Sequence, residues 1–172
     1  MGGGLNLYGF AGGDPVNFDD PFGLCQDAKT KQKRDCTVTW SDADNPNRNV
    51  DPRVMAAAQE LATTADVDLV LSSGLRPGDP YNHGRGTALD ISAIDGIDIG
   101  TSGFTRPEAV EKAAHVQNVL KGMPQIRENF GPSGLFKSTA RGTPQSNYND
   151  GSQRRAQLQR EHKDHIHFSI QP

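Results

Sequence analysis

Little in this chain of 172 residues is apolar or aromatic: 34% of it is hydrophobic and 6% aromatic. No run approaches the ~18 consecutive apolar residues of a membrane-crossing helix, so no membrane span is expected. The first residues, Met1-Gly-Gly-Gly-Leu-Asn6, lack the charged and apolar regions of a secretory signal. If the protein leaves its cell, it is expected to travel by a route that does not read its own N-terminus. An excess of basic charge is missing as well, since 18 Lys and Arg face 21 Asp and Glu, for a net charge of −3. All the cations follow residue 24, whereas Asp14, Asp19 and Asp20 precede it, so the remainder is balanced. A balanced domain lacks the broad basic footprint that grips phosphate backbones, which argues against a nucleic-acid partner. Cysteine is limited to Cys25 and Cys36. With no CxxC and no further cysteine cluster, the pair reads as a dispensable disulfide staple or as free thiols, not as zinc ligands. What is plentiful is glycine, with 19 residues, and proline, with 11. With few aromatics they predict a loop-rich domain around a small core, and they exclude a coiled coil, a collagen and a large multidomain enzyme. The length suits one domain with an appendage.

The appendage is residues 1–24, where aromatics alternate with turn formers and no 3.6-residue period appears. This is strand and turn material that cannot bury a core alone. Residues 25–172 then form the main domain. Asp51 and Pro52 open a helix running to about Ala65. Val67–Leu71 and Thr87–Ser92 read as strands, and Thr105-Arg-Pro-Glu108 as a capping box opening a helix to about Lys121, ended by Gly122 and Pro124. A polar loop over 139–151 precedes a short polar helix over 152–161 and a last strand, His165–Ile170. The order helix, strand, strand, helix, strand predicts an α+β fold with a small antiparallel sheet and flanking helices.

The segment His83-Gly-Arg-Gly-Thr-Ala-Leu-Asp90 carries chemistry. His83 sits in a glycine-rich loop. Strand alternation puts Asp90 on the face opposite Leu89 and Ile91. A carboxylate in mid-strand among apolar neighbours needs a partner, and a zinc ion supplies one. At the other end, Glu161-His-Lys-Asp-His-Ile-His167 holds three of the 5 histidines. His83, Asp90 and His167 make three ligands for one Zn²⁺ and leave a position open for water, the pattern of a catalytic site. Asp164 is the candidate general base, with His165 or Glu161 as alternatives, because a fully extended 164–167 would turn Asp164 away from the histidines on either side. His165 otherwise stabilises an oxyanion. Arg76 is positioned to clamp a substrate carboxylate, and Ser73 to shape its turn. His115 and His162 have no matched partner and read as ordinary surface or helix residues.

Two resemblances follow from these residues. Pro15-Val-Asn-Phe-Asp-Asp-Pro-Phe-Gly-Leu24 resembles the end of the toxin-enclosing core of Rhs and YD-repeat proteins. It implies cleavage after Leu24 with Asp20 taking part, release of residues 25–172 as a toxin, a parent Rhs core with a type VI-like secretion machinery, and a cognate immunity protein. His83, Gly86, Ala88 and Asp90, with Ser73-Gly74-Leu75-Arg76 and Asp164-His-Ile-His167, resemble the metallopeptidase superfamily of lysostaphin, D-alanyl-D-alanine peptidases and the Hedgehog signalling domain. The match spans 72–168 and departs from the pattern at Leu75, usually Tyr, and Tyr81, usually Ser. It implies a zinc peptidase acting on peptidoglycan peptides in the target cell's periplasm. The rival expectations are a metal-dependent nuclease toxin and a non-catalytic zinc-binding module.

Overall fold

The computed structural model describes residues 24–26, 33–42, 48–100, 106–151 and 153–171. Asp20 and the motif before Leu24 lie outside them. Leu24 opens strand β1 (Leu24–Gln26), which pairs antiparallel with β2 (Lys33–Asp35). A disulfide joins Cys25 to Cys36, and both are buried against the core. The Arg34 guanidinium bonds both carboxylate oxygens of Asp68, at 2.8 and 2.5 Å, and ties this hairpin to the main body.

The main sheet is larger than the sequence suggests. It has eight strands: β3 (Val38–Trp40), β4 (Leu69–Ser73), β5 (Ala88–Ile94), β6 (Ile97–Asp98), β7 (Ile126–Gly131), β8 (Gly134–Lys137), β9 (Ser146–Asn147) and β10 (Ile166–Ile170). The order across the sheet is β3-β4-β5-β10-β7-β8-β9, with β6 beside β5. The expected small antiparallel sheet is corrected to a mixed one, because β3 and β4 run parallel. A parallel pair needs a crossover, and helix α1 (Pro52–Ala65) provides it.

Local signals explain the element ends. The Asp51 side chain accepts from the Arg53 amide at 2.8 Å, with Pro52 in the first turn. Asp66 closes α1 in the left-handed conformation (φ 53°), and the Val67 amide reaches back to the Ala62 carbonyl at 3.0 Å. This C-terminal cap spends Val67 on the helix end, so β4 begins at Leu69 and not at the expected Val67. Helix α2 (Pro107–Gly122) has Arg106 at its N-cap with no side-chain capping bond. The capping box anticipated there rests on Thr105, which lies outside the described residues. Helix α3 (Gln153–Glu161) appears where expected and buries no residue. Strand β10 starts at Ile166, so His165 stands in the preceding bend.

Helices α1 and α2 cover one face of the sheet. Val54, Ala58, Leu61, Val116 and Leu120 pack there on Leu69, Leu71, Leu89, Ile91, Ile166 and Phe168. Alternation along β5 and β10 then sends Asp90, His167 and Ser169 to the opposite face. Strand β7 joins that face through a bulge. Its register runs Phe130 opposite His167 and Glu128 opposite Ser169, and then Ile126, not Arg127, opposite Ile170. Two residues against one is a β-bulge, and it lets Ile126 enter the helix-side core while Glu128 and Phe130 stay with His167. Among the described residues no helix is long and apolar enough to cross a membrane.

Candidate metal centre

Two glycines shape the loop that delivers His83. It opens a 3-10 turn, His83–Arg85, closed by Gly86 in the left-handed region (φ 68°) with its amide on the His83 carbonyl. At Gly84 a Cβ would lie 1.8 Å from the Asp79 carbonyl oxygen, so no side chain fits. The His83 Nδ1–H donates to the Gly74 carbonyl at 2.5 Å. A carbonyl only accepts, so this bond fixes the proton on Nδ1 and leaves the Nε2 lone pair facing inward.

Asp90 and His167 are directly opposed across β5 and β10. His83 Nε2 lies 3.1 Å from Asp90 Oδ1 and 3.0 Å from His167 Nδ1, and His167 Nδ1 lies 3.0 Å from Asp90 Oδ1. All three residues are buried. Ligands about 2.0–2.2 Å from a tetrahedral ion stand roughly 3.3–3.6 Å apart, a few tenths of an ångström wider than the edges of this triangle. Three lone-pair atoms so arranged repel one another unless a cation sits among them, either one proton or one metal ion. His83, Asp90 and His167 can therefore hold a metal ion.

In the metal-free protein the proton belongs to His167. Burial alone would lower its pKa, but Asp90 and Glu128 outweigh burial and push it up to about 9. Burial would likewise raise Asp90, yet the hydrogen bond and charge of His167 hold its carboxyl well below the usual range. The sign follows. His167 stabilises the metal-free fold fully below its ordinary value of 6.5, and that contribution is lost as pH rises through about 9. A metal ion must displace this proton. Binding of Zn²⁺ at pH 7.5 is expected to release about one proton, read as the dependence of the calorimetric enthalpy on buffer ionisation enthalpy. A flat dependence would contradict this arrangement.

The surrounding side chains orient the ligands. Arg76 bonds Asp90 Oδ2 through one terminal nitrogen and Ser73 Oγ through Nε at 2.9 Å. The guanidinium expected to clamp substrate thus bonds a ligand carboxylate in this structure, and Ser73 supports it. Glu128, buried on β7, faces His167 Nε2 at 3.7 Å, accepts from Asn82 Nδ2 and from Ser169 Oγ, and pairs with Lys137 at 2.8 Å. Burial would raise the Glu128 carboxyl, but His167 and Lys137 hold it well below its ordinary value.

His165 Nε2 lies 3.8 Å from Asp90 Oδ1, and its Nδ1 is bonded to Asp164 Oδ1 at 2.9 Å. Asp164 sits in the bend entering β10, the placement that keeps it near the histidines. Glu161, exposed at the end of α3, lines the cleft and accepts from Gln157 at 2.7 Å, with no hydrogen bond or ion pair to His83, Asp90 or His167. His162 is corrected from a residue without a partner. Its ring packs on Phe130, His165 and His167 at centroid distances of 5.4, 5.0 and 5.3 Å. Burial, with the His167 charge added, pushes its pKa down to about 4, so it is neutral at pH 7. His115 is bonded to the Ala65 carbonyl between α1 and α2, as an ordinary helix residue. The ligands lie in a cleft of about 730 Å³ bordered by the 79–85 loop, β7, β8 and α3. Glu128, Asn82 and Ser169 were not anticipated. The signal for Glu128, alternation with Ile126 and Phe130, is broken by the bulge.

No protein-family model, curated protein or solved structure matches this chain.

Proposed function

We propose that residues 25–172 are a zinc-dependent peptidase that hydrolyses amide bonds in peptidoglycan peptides, the toxic tip of a Rhs-type antibacterial effector. The observation that carries the reading is the buried triangle of His83, Asp90 and His167 with a charge-assisted His165–Asp164 pair beside it, opening on a cleft. Bound by those three residues, Zn²⁺ would supply Lewis acidity for the scissile carbonyl and lower the pKa of water.

The chain's own groups do the rest. His165 Nε2 points toward the ligand triangle and takes the proton of the attacking water, then returns it to the leaving amine. Asp164 Oδ1 holds the Nδ1–H, which fixes the tautomer with its free lone pair on Nε2 and stabilises the imidazolium when it forms. Arg76 bonds Asp90 Oδ2 and holds the carboxylate in orientation. Peptidoglycan as substrate, export with a Rhs core, action in the target periplasm and neutralisation by an immunity protein rest on the sequence resemblances. They suit a chain without an excess of positive charge.

The test is digestion of purified sacculi by the zinc-loaded protein, with plasmid DNA incubated in parallel. New muropeptides by mass spectrometry, with the plasmid intact, are expected. Nicked plasmid with unchanged muropeptides would replace this reading with a nuclease. Toxicity that survives in the double variant Asp164→Ala, His165→Ala with zinc still bound would replace it with a binding module.

A further inference from the structure

We infer that the cleft holds a carboxylate-binding subsite formed by Arg127 and Arg85, so that the favoured substrate is a peptide with a free carboxylate close to the scissile bond. The inference rests on the peptidase reading and names its substrate class.

The bulge in β7 places Arg127. In a regular ladder with Glu128 on the site face, the preceding residue would point to the helices. As the extra residue, Arg127 instead lines the cleft, half-buried. Re-aiming a side chain is a common effect of a bulge. A partly desolvated guanidinium ordinarily has an acidic partner. Among the described residues neither Arg127 nor Arg85 has a side-chain hydrogen bond or ion pair.

The other cations of the cleft are engaged. Arg76 bonds Asp90, Lys137 pairs with Glu128, and Arg154 lies over the Tyr81 ring at 5.3 Å. The carboxylates are spoken for too: Asp79 accepts from the Tyr81 amide, Glu161 from Gln157, Asp90 is a ligand, and Glu128 lies behind His167. The two spare positive charges sit on neighbouring elements. Arg85 follows Asn82 in the 3-10 turn, Arg127 precedes Glu128, and Asn82 donates to Glu128. The subsite therefore flanks His167, one residue away from its carboxylate partner.

A planar guanidinium pairs with a carboxylate through two parallel hydrogen bonds, and it discriminates a carboxylate from the isosteric amide through charge. Phosphate suits the same fork. However, the chain as a whole is net negative, whereas gripping a polyanion calls for a broad excess of cations.

The probes are two peptides, L-alanyl-γ-D-glutamyl-L-lysine amide with the glutamyl α-carboxylate free, and the same peptide with that group as a carboxamide. Both are measured with zinc-loaded wild type, Arg127→Gln, Arg127→Lys and Arg85→Gln, for binding by calorimetry and for kcat and KM. Wild type is expected to prefer the carboxylate peptide by about tenfold or more, mainly in KM. Arg127→Gln brings the ratio close to one, Arg127→Lys keeps part of it, and Arg85→Gln lowers it. Equal binding of both peptides by wild type, or an unchanged preference in Arg127→Gln, overturns the subsite. If neither peptide is cleaved but the Arg127-dependent preference persists in binding, the subsite stands and the peptidase reading falls. A short single-stranded DNA that binds more tightly than either peptide, and loses that affinity in Arg127→Gln, overturns the assignment to a peptide carboxylate.

Discussion

Asp90→Asn is expected to take the zinc content of the purified protein from one ion per chain to a small fraction of that, and to lower peptidase activity on the order of a thousandfold. The side chain keeps its shape and loses its charge. Asp90 Oδ1 is one corner of the ligand triangle, 3.0 Å from His167 Nδ1, while Oδ2 is held by Arg76. Without the carboxylate, His167 loses the main partner that keeps it charged, Arg76 loses its anion, and the positive charge of a divalent ion has no compensation in a buried site. Several kcal/mol of charge stabilisation lost at about 1.4 kcal/mol per tenfold gives the stated drop. Metal content by elemental analysis and activity on sacculi measure the two effects separately. A variant with full zinc and full activity would show that Asp90 serves the fold and not the ion.

His165→Ala is expected to cost about 10²- to 10⁴-fold in kcat, the usual contribution of a positioned acid–base group, while zinc remains bound. Asp164→Asn, which keeps the geometry but removes the charge behind His165 Nδ1, lowers kcat by a smaller factor in the same direction. Residues that act as one unit do not add. The double variant should therefore be little worse than His165→Ala alone. Glu161→Gln should stay within a few-fold of wild type, since Glu161 is exposed and bonded to Gln157. If Glu161→Gln proves the most damaging of the three, or if the losses from Asp164→Asn and His165→Ala multiply, the proton is carried differently.

The helices and the grouping of His83, Asp90 and His167 were legible in the sequence for physical reasons that can be named. Asp51-Pro52 and the alanine-rich stretch after it are a local signal, written within one turn of the helix they start. The glycines around His83 mark a turn, and a carboxylate between Leu89 and Ile91 announces a buried polar requirement. The missing strands depend on partners far along the chain. Strand β3 is three residues long and is defined by its parallel neighbour β4. Strand β7 mixes Ile126 with Glu128 and Phe130 at even spacing, a pattern that fits no single face because the bulge divides it between two. Glu128 gains its meaning only once β7 lies beside β10, and the proposed preference for His165 over Asp164 and Glu161 rests on which ring nitrogen faces Asp90, a spatial relation that spacing along the chain does not carry.

The bulge has a consequence for how such a cleft can change. If Arg127 were absent, a regular ladder would pair Ile126 with Ile170 and Glu128 with Ser169, the very pairs present now. Arg127 thus amounts to an inserted residue whose neighbours keep their faces, and one codon gained or lost adds or removes a positive charge in the cleft without re-facing the core or the metal ligands. On the proposed reading, substrate preference can drift by insertion and deletion at this point while His83, Asp90 and His167 stay in place.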